Sequence, residues 1–169
     1  MRVSPIGIAC NSLDEVLAEA RRSAEVTHDH PEGIRGAQAT AAAVFLARTG
    51  ASKEDIRANL EFAFGYNLSE RLADIRGRYR FDISCQGSVP QSIIAFLESD
   101  SWEDAVRNAI SLGGDADTMA AIAGGIAEAF YDGVPEPLRV RALALLDQPL
   151  RAVVDEFMER FGEPASRAP

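Results

Sequence analysis

Hydrophobic residues recur along most of this chain at the three- and four-residue spacing of amphipathic helices. Ile56, Leu60 and Phe64 follow one another at four-residue intervals. Near the end of the chain a longer apolar stripe has the same spacing, with polar residues between its members Leu150, Val153, Val154, Phe157, Met158 and Phe161. Because this spacing places side chains on one face of an α-helix, the pattern predicts a helical protein.

Capping signals divide this pattern into separate helices. Ser12, Ser52 and Ser101 each precede an acidic residue by three positions, which is the pattern of a capping box or of a close variant of it. With glycine and proline as further boundaries, helices are predicted over residues 12–26, 31–48, 52–64, 69–76, from 90 onward, 102–112, 118–130, 138–146 and 150–161. The predicted inner face of the Ser101 helix comprises Trp102, Ala105, Val106, Ala109 and Ile110.

Two segments depart from simple amphipathic patterning. Tyr79, Phe81 and Ile83 alternate with polar residues as in a strand, but the sequence offers no second strand to pair with them. We therefore predict an extended connection there. The helix after residue 118 is rich in small residues, including Gly124 and Gly125, and each glycine in a helix costs about 1 kcal/mol relative to alanine. We interpret these glycines as points where neighbouring helices approach closely.

The length of 169 residues suits one helical domain, predicted over residues 1–162 and followed by a flexible tail at 163–169. The net charge of −9 argues against nucleic-acid binding, which requires clustered Lys and Arg. No apolar run reaches the roughly 18 residues that a membrane span requires. The first residues do not resemble a signal peptide, and Cys10 and Cys85 are predicted to be free thiols. These features predict a soluble cytoplasmic protein without a membrane partner.

The segment GGDADT at residues 113–118 is the strongest candidate for chemistry. Two glycines allow a sharp backbone turn, and the carboxylates of Asp115 and Asp117 can then converge with the hydroxyl of Thr118. All three are hard oxygen donors, which favours Mg²⁺ or Mn²⁺ over zinc. The alternative is that Asp117 only caps the following helix and Asp115 is a surface turn residue.

Two weaker motifs accompany this segment. The two histidines of the chain, His28 and His30, lie on a connection between predicted helices, where one would face a ligand and the other would serve as a turn or cap residue. A zinc site is a less favoured alternative, because it would need more ligands than the segment supplies. Residues 84–90 (SCQGSVP) are predicted to form a small-residue loop before a helix, either as an anion-binding backbone or as a plain turn. Cys85 lacks the nearby base that a nucleophile would need.

Taken together, these motifs resemble the ADP-ribosylglycohydrolase family. Four segments match it in order, at residues 1–7 (MRVSPIG), 27–37 (THDHPEGIRGA), 86–90 (QGSVP) and 113–124 (GGDADTMAAIAG), and the similarity extends to about residue 135. The resemblance implies an all-α orthogonal multi-helix bundle. It also implies a magnesium-dependent hydrolase that removes ADP-ribose from a modified protein side chain or small molecule.

The resemblance also assigns residues to roles. It implies that Asp115, Asp117 and Thr118 are ligands of Mg²⁺ or Mn²⁺, in a site that is binuclear in complete members of the family, and that the two aspartates are catalytic. The substrate-binding residues that it implies are His28, Ser4, Gly87 and Ser88. In this scheme His28 lines the ADP-ribose cleft, and the other three form walls around the diphosphate and riboses.

This chain departs from the family pattern at its beginning. The family begins with a glycine-rich helix entrance and a Thr-Asp-Asp-Thr segment that supplies further metal ligands, and neither precedes Met1 here. We therefore expect an N-terminally truncated version of the fold, with weak or no activity and with bare apolar surface that favours self-association. The alternative function is a non-catalytic ADP-ribose- or nucleotide-binding protein, or a structural protein like the crystallin of the family.

Overall fold

The chain folds into helices joined by short connections, as the hydrophobic pattern predicts. A computed structural model describes residues 1–162, and within them it contains ten helices and no strand. The helices are α1 (Ser4–Ala9), α2 (Leu13–Glu25), α3 (Pro31–Arg48), α4 (Lys53–Phe64), α5 (Leu72–Arg76), α6 (Cys85–Leu97), α7 (Trp102–Ser111), α8 (Ala116–Phe130), α9 (Glu136–Leu143) and α10 (Gln148–Phe161). The all-α class is confirmed. The predicted flexible tail at 163–169 lies outside the described residues.

Serine side chains begin several of these helices. The hydroxyls of Ser12, Ser52 and Ser101 each accept a hydrogen bond from a backbone N–H three residues further on, which confirms the predicted caps. At the other end of α4, Gly65 has a positive φ of 62° and its N–H donates to the Glu61 carbonyl. Such caps satisfy backbone groups that helix ends leave unpaired, so they fix where each helix begins and ends.

Helix α8 lies at the centre of the packing, in contact with α1, α3, α6 and α7. Its small residues allow this. Trp102 of α7 donates from its indole N–H to the Gly124 carbonyl at 3.1 Å, and a Cβ on Gly125 would lie 2.7 Å from the Ser4 hydroxyl oxygen. The prediction that these glycines mark close helix contacts is confirmed.

Helix α1 was not predicted from the pattern, because its six residues are too few to show a period. It rests on α3 through Gly7, where an added Cβ would lie 2.5 Å from the Ala41 carbonyl oxygen and 2.7 Å from Val44 Cβ. Arg48 also holds α1 in place, donating hydrogen bonds to the carbonyls of Gly7 and Cys10. The first residues of the chain are thus fixed against the alanine-rich face of α3.

The prediction that Pro90 opens a helix is wrong. Helix α6 begins five residues earlier, because the Ser84 side chain accepts from the Gly87 N–H and caps the first turn. Pro90 lies inside the helix, where it cannot donate a backbone hydrogen bond to the Gln86 carbonyl. The predicted small-residue loop at 84–90 is therefore mostly helix.

Two further predictions about packing and boundaries need correction. Ile110 is 53% exposed rather than on the inner face of α7, where Asn108 is buried instead and its amide contacts the Ala95 carbonyl. Ala105, Asn108 and Ala109 follow helical spacing, and Ile110 lies a further 100° around the helix. The helix predicted over 69–76 is shorter, beginning at Leu72.

The helix predicted over residues 138–146 is α9, which begins and ends earlier, at Glu136–Leu143. Residues 79–83 form a connection that is neither helix nor strand, in the place where an extended connection was predicted. Helix α10 forms as predicted, but much of its apolar stripe is exposed, with Leu150 at 56% and Val153 at 65%. Within the described residues, no helix is both long and apolar enough to cross a membrane.

Candidate functional site

A cavity of about 340 Å³ brings together residues from three motifs that are far apart in sequence. It lies where the first residues of the chain, the start of α3, the first turns of α6 and the first turn of α8 meet. Four of the predicted site residues line it, namely His28, Ser88, Asp115 and Thr118. The cavity is therefore the place where the sequence motifs converge.

The loop before α8 gives Asp115 its position. Gly113 and Gly114 both have positive φ, 74° and 67°, as the two glycines of the motif suggested. The ring of Tyr79 packs on this loop, since a Cβ on Gly114 would lie only 2.8 Å from Tyr79 Cε1. Burial, and then the nearby carboxylates of Asp82 and Asp115, raise the pKa of Tyr79, so this phenol stays protonated beside the acidic loop.

The two aspartates of the motif lie beside each other at the start of α8. Asp115 is the N-cap residue, yet its side chain makes no capping hydrogen bond, while Asp117 Oδ1 accepts from the Thr118 N–H at 2.9 Å. A side-chain hydrogen bond with Asp115, together with the Thr118 N–H, holds the pKa of Asp117 below its usual range. Asp115 and Thr118 are half-buried at the cavity, whereas Asp117 is exposed and outside its lining.

The carboxylates of Asp115 and Asp117 and the hydroxyl of Thr118 could supply some of the ligands of one hard cation. Two adjacent carboxylates and a hydroxyl are the oxygen ligands that Mg²⁺ and Mn²⁺ prefer, and Mg²⁺ commonly takes one or two carboxylates plus waters. Among residues 1–162, however, no group of three or more His, Cys, Asp or Glu side chains is arranged to hold a metal. Asp115, Asp117 and Thr118 are therefore candidate ligands of a divalent ion, and no third His, Cys, Asp or Glu of residues 1–162 joins the two aspartates.

His28 lies on the connection between α2 and α3, on the wall of the cavity. Its Nδ1 is 2.7 Å from the Thr27 hydroxyl oxygen, and its backbone N–H donates to the Ala24 carbonyl at 2.7 Å. His30 has a different role, because it is the N-cap of α3 and its Nδ1 accepts from the Glu32 N–H. The two histidines are thus divided as the sequence suggested, one at the cavity and one at a cap.

The first turns of α6 contribute Ser88 and Cys85 to the cavity. The Ser88 hydroxyl donates to the Ser84 carbonyl at 2.7 Å, so its two oxygen lone pairs remain available as acceptors. Burial raises the pKa of the Cys85 thiol, to which the Met1 amino group and Glu32 contribute smaller and opposite effects. A thiol with a raised pKa is a poor nucleophile, in keeping with the absence of a neighbouring base in its segment.

Ser4 and Gly87 do not line this cavity. Ser4 faces Gly125 of α8, and residues 1–3 form the cavity wall in its place. Both backbone groups of Gly87 are already bonded, its N–H to Ser84 and its carbonyl to the Tyr79 hydroxyl at 3.0 Å. The Asp82 carboxylate also covers Gly87, and hydrogen bonds from Ser84 hold the pKa of Asp82 below its usual range. The proposed contacts of Ser4 and Gly87 with substrate therefore remain predictions.

The sequence analysis gave no site role to the side chains of Arg2, Thr40 and Ile83, which also line the cavity. Thr40 is buried within the alanine-rich face of α3, and a hydroxyl among alanines was the available signal. Ile83 is 75% exposed, at the end of the extended connection. An exposed isoleucine beside a cavity can make an apolar contact with a ligand. The sequence gives no sign of this role, because the cavity forms only when the chain folds.

Comparison with known proteins relates this chain to a family. A sequence profile of the ADP-ribosylglycohydrolase family matches residues 1–167. The chain is 31% identical over 183 residues to the human ADP-ribosylhydrolase ARH3, covering 80% of this chain and 50% of that protein. It is 29% identical over 168 residues to the ADP-ribosylarginine hydrolase Tri1 of Pseudomonas putida, covering 95% of this chain and 45% of that protein.

A solved structure titled "ADP-ribosylglycohydrolase-related protein complex" has a similar fold. It matches with a TM-score of 0.68 and 28% identity, over 93% of this chain and 56% of that one. The chain therefore belongs to the ADP-ribosylglycohydrolase family. It spans about half the length of the curated relatives that it matches.

Proposed function

We propose that the cavity binds the ADP-ribose group of an ADP-ribosylated protein or small molecule, with one Mg²⁺ or Mn²⁺ held beside it. The observation that carries this proposal is the convergence of His28, Ser88 and Asp115, from three separate motifs, on a single cavity. Family membership and the names of the relatives, which describe hydrolases of ADP-ribosyl groups, support the same ligand.

Charge explains why a cation belongs in this scheme. The chain has a net charge of −9, and a diphosphate approaching Asp115 would be repelled. A divalent ion bound to the oxygens of Asp115, Asp117 and Thr118 would offset that repulsion, helped by the partial positive charge at the start of α8. Ile83 and Val89 would add apolar surface for the less polar parts of the ligand.

The reaction that we propose is hydrolysis of the N- or O-glycosidic bond between ADP-ribose and its acceptor. A bound divalent ion supplies Lewis-acid chemistry and lowers the pKa of a coordinated water. Asp115 and Asp117 are the catalytic residues in this proposal because they would hold and orient that ion, and Thr118 would add a third oxygen. His28 and Ser88 would orient the ligand from the opposite side of the cavity.

A second candidate is non-catalytic binding of ADP-ribose. It is favoured by the small number of metal-ligand side chains at the cavity, since among residues 1–162 no third His, Cys, Asp or Glu joins Asp115 and Asp117. If efficient hydrolysis needs two ions, the chain would bind ADP-ribose and turn over substrate slowly. We therefore expect slow, Mg²⁺-dependent release of ADP-ribose rather than fast turnover.

The test is an assay of ADP-ribose release from peptides ADP-ribosylated at arginine or at serine, with Mg²⁺ and with EDTA. We expect slow release that EDTA abolishes and that Asp115→Asn lowers at least tenfold, with Asp14→Asn as a matched control at the far end of α2. Binding of ADP-ribose without release would favour the second candidate. Neither binding nor release would contradict the proposed function.

A further inference from the structure

Three polar side chains form a chain of hydrogen bonds beside the cavity. The Arg2 guanidinium donates to the Thr27 hydroxyl oxygen, and that oxygen lies 2.7 Å from His28 Nδ1. Arg2 and His28 both line the cavity, whereas Thr27 lies behind them on the connection that follows α2. The proposed function uses His28 alone of these three.

The direction of each bond follows from what each group can donate. A guanidinium has five N–H donors and no acceptor, so the Thr27 oxygen must accept from Arg2. The Thr27 oxygen has a second lone pair that an Nδ1–H of His28 could also use, but the Thr27 hydrogen would then have no acceptor in this chain of contacts. Donation from the Thr27 hydroxyl to His28 Nδ1 gives every group in the chain a partner. An Nδ1 that accepts a hydrogen bond in a neutral imidazole requires that the ring carry its proton on Nε2.

We infer that Arg2 and Thr27 act as positioning residues that hold His28 in the Nε2-protonated tautomer, with Nε2–H as a donor toward the ligand. This inference rests on the proposed function only for the identity of the ligand. Such a donor suits the oxygens of a phosphate or ribose, and does not suit a ligand N–H.

The backbone around His28 supports the same arrangement. Its N–H donates to the Ala24 carbonyl, and its carbonyl accepts from the His30 N–H at 2.8 Å. The carbonyl also packs on Gly33, where an added Cβ would lie 2.6 Å from it. The backbone of His28 is thus held at both its N–H and its carbonyl. The Thr27 hydroxyl then restrains the rotation of the exposed imidazole ring and its tautomer.

The direct test is a two-bond ¹⁵N–¹H correlation spectrum of the imidazoles at about pH 8.5, where a free imidazole is neutral. We expect His28 to show a single Nε2–H tautomer in the native chain, and a tautomer mixture in the same chain unfolded in urea. Thr27→Val should shift His28 toward the unfolded mixture, and Thr27→Ser should keep the native pattern. His30 is an internal control, because its Nδ1 accepts from the Glu32 N–H and should not respond.

A double-mutant cycle then connects the tautomer to binding. Thr27→Val should weaken ADP-ribose binding between about two- and tenfold, the effect of one hydrogen bond, with no further effect in the His28→Ala background. A native His28 that already matches the unfolded mixture, or one unchanged by Thr27→Val, would overturn the inference. If ADP-ribose does not bind at all, the proposed function fails while the spectrum still decides the tautomer.

Discussion

Replacing Asp115 with asparagine is expected to weaken Mn²⁺ binding at least tenfold. Asp115 is half-buried at the cavity wall, and its side chain lies beside Asp117 instead of capping α8, so both carboxylates are close enough to share one ion. The amide carries no charge, and losing one of two carboxylates beside a divalent cation costs more than about 1.4 kcal/mol of interaction energy. Titration of Mn²⁺ followed by electron paramagnetic resonance measures the change.

Asp117→Asn should weaken Mn²⁺ binding less than Asp115→Asn, because Asp117 is exposed and outside the cavity lining. Asp14→Asn serves as the control for loss of one negative charge. Asp14 lies in the first turn of α2, about 15 Å along the helix from Ala24, which lines the cavity. If both loop variants bind Mn²⁺ as the unaltered chain does, these aspartates do not hold the cation.

Replacing His28 with alanine is expected to weaken ADP-ribose binding about tenfold or more. The expected loss is that of one hydrogen bond to a charged or polar oxygen inside a cavity. The fold and Mn²⁺ affinity should change little, because the side chain is exposed and makes its one described contact with Thr27. Isothermal titration calorimetry measures the affinity, and thermal unfolding checks the fold.

His30→Ala is the matched control for His28→Ala. His30 caps α3 through the Glu32 N–H, so its loss should cost about 1 kcal/mol of stability and leave ADP-ribose affinity nearly unchanged. The assignment of the two histidines is wrong if His30→Ala proves the more damaging to binding.

The parts of the fold that the sequence predicted depend on local signals. The serine caps of α2, α4 and α7 satisfy backbone groups within one turn, so a few residues determine each of those boundaries. Helix α6 shows the limit of such signals. Pro90 suggested a helix start, but the Ser84 cap starts the helix earlier, and the helix continues through the proline.

The candidate site was predictable in its chemistry and less so in its shape. The motif at residues 113–118 specified oxygen donors and a tight turn through composition alone. The contributions of Arg2, Thr40 and Ile83 come instead from helix packing, which brings residues distant in sequence to one cavity. The burial of Asn108 in place of Ile110 has the same origin, since the contact of α7 with its neighbours decides which side of that helix faces inward.

The central claim is that one cavity receives ADP-ribose together with a divalent cation. The most direct measurement is calorimetric titration of the chain with ADP-ribose, with and without saturating Mn²⁺. We predict saturable binding of one ADP-ribose per chain, with an affinity that Mn²⁺ increases. Because coupled binding is reciprocal, ADP-ribose should increase the affinity for Mn²⁺ by the same factor. Asp115→Asn should reduce this coupling, while weaker binding of ADP-ribose persists. The absence of ADP-ribose binding, or an affinity that Mn²⁺ leaves unchanged, would contradict the claim.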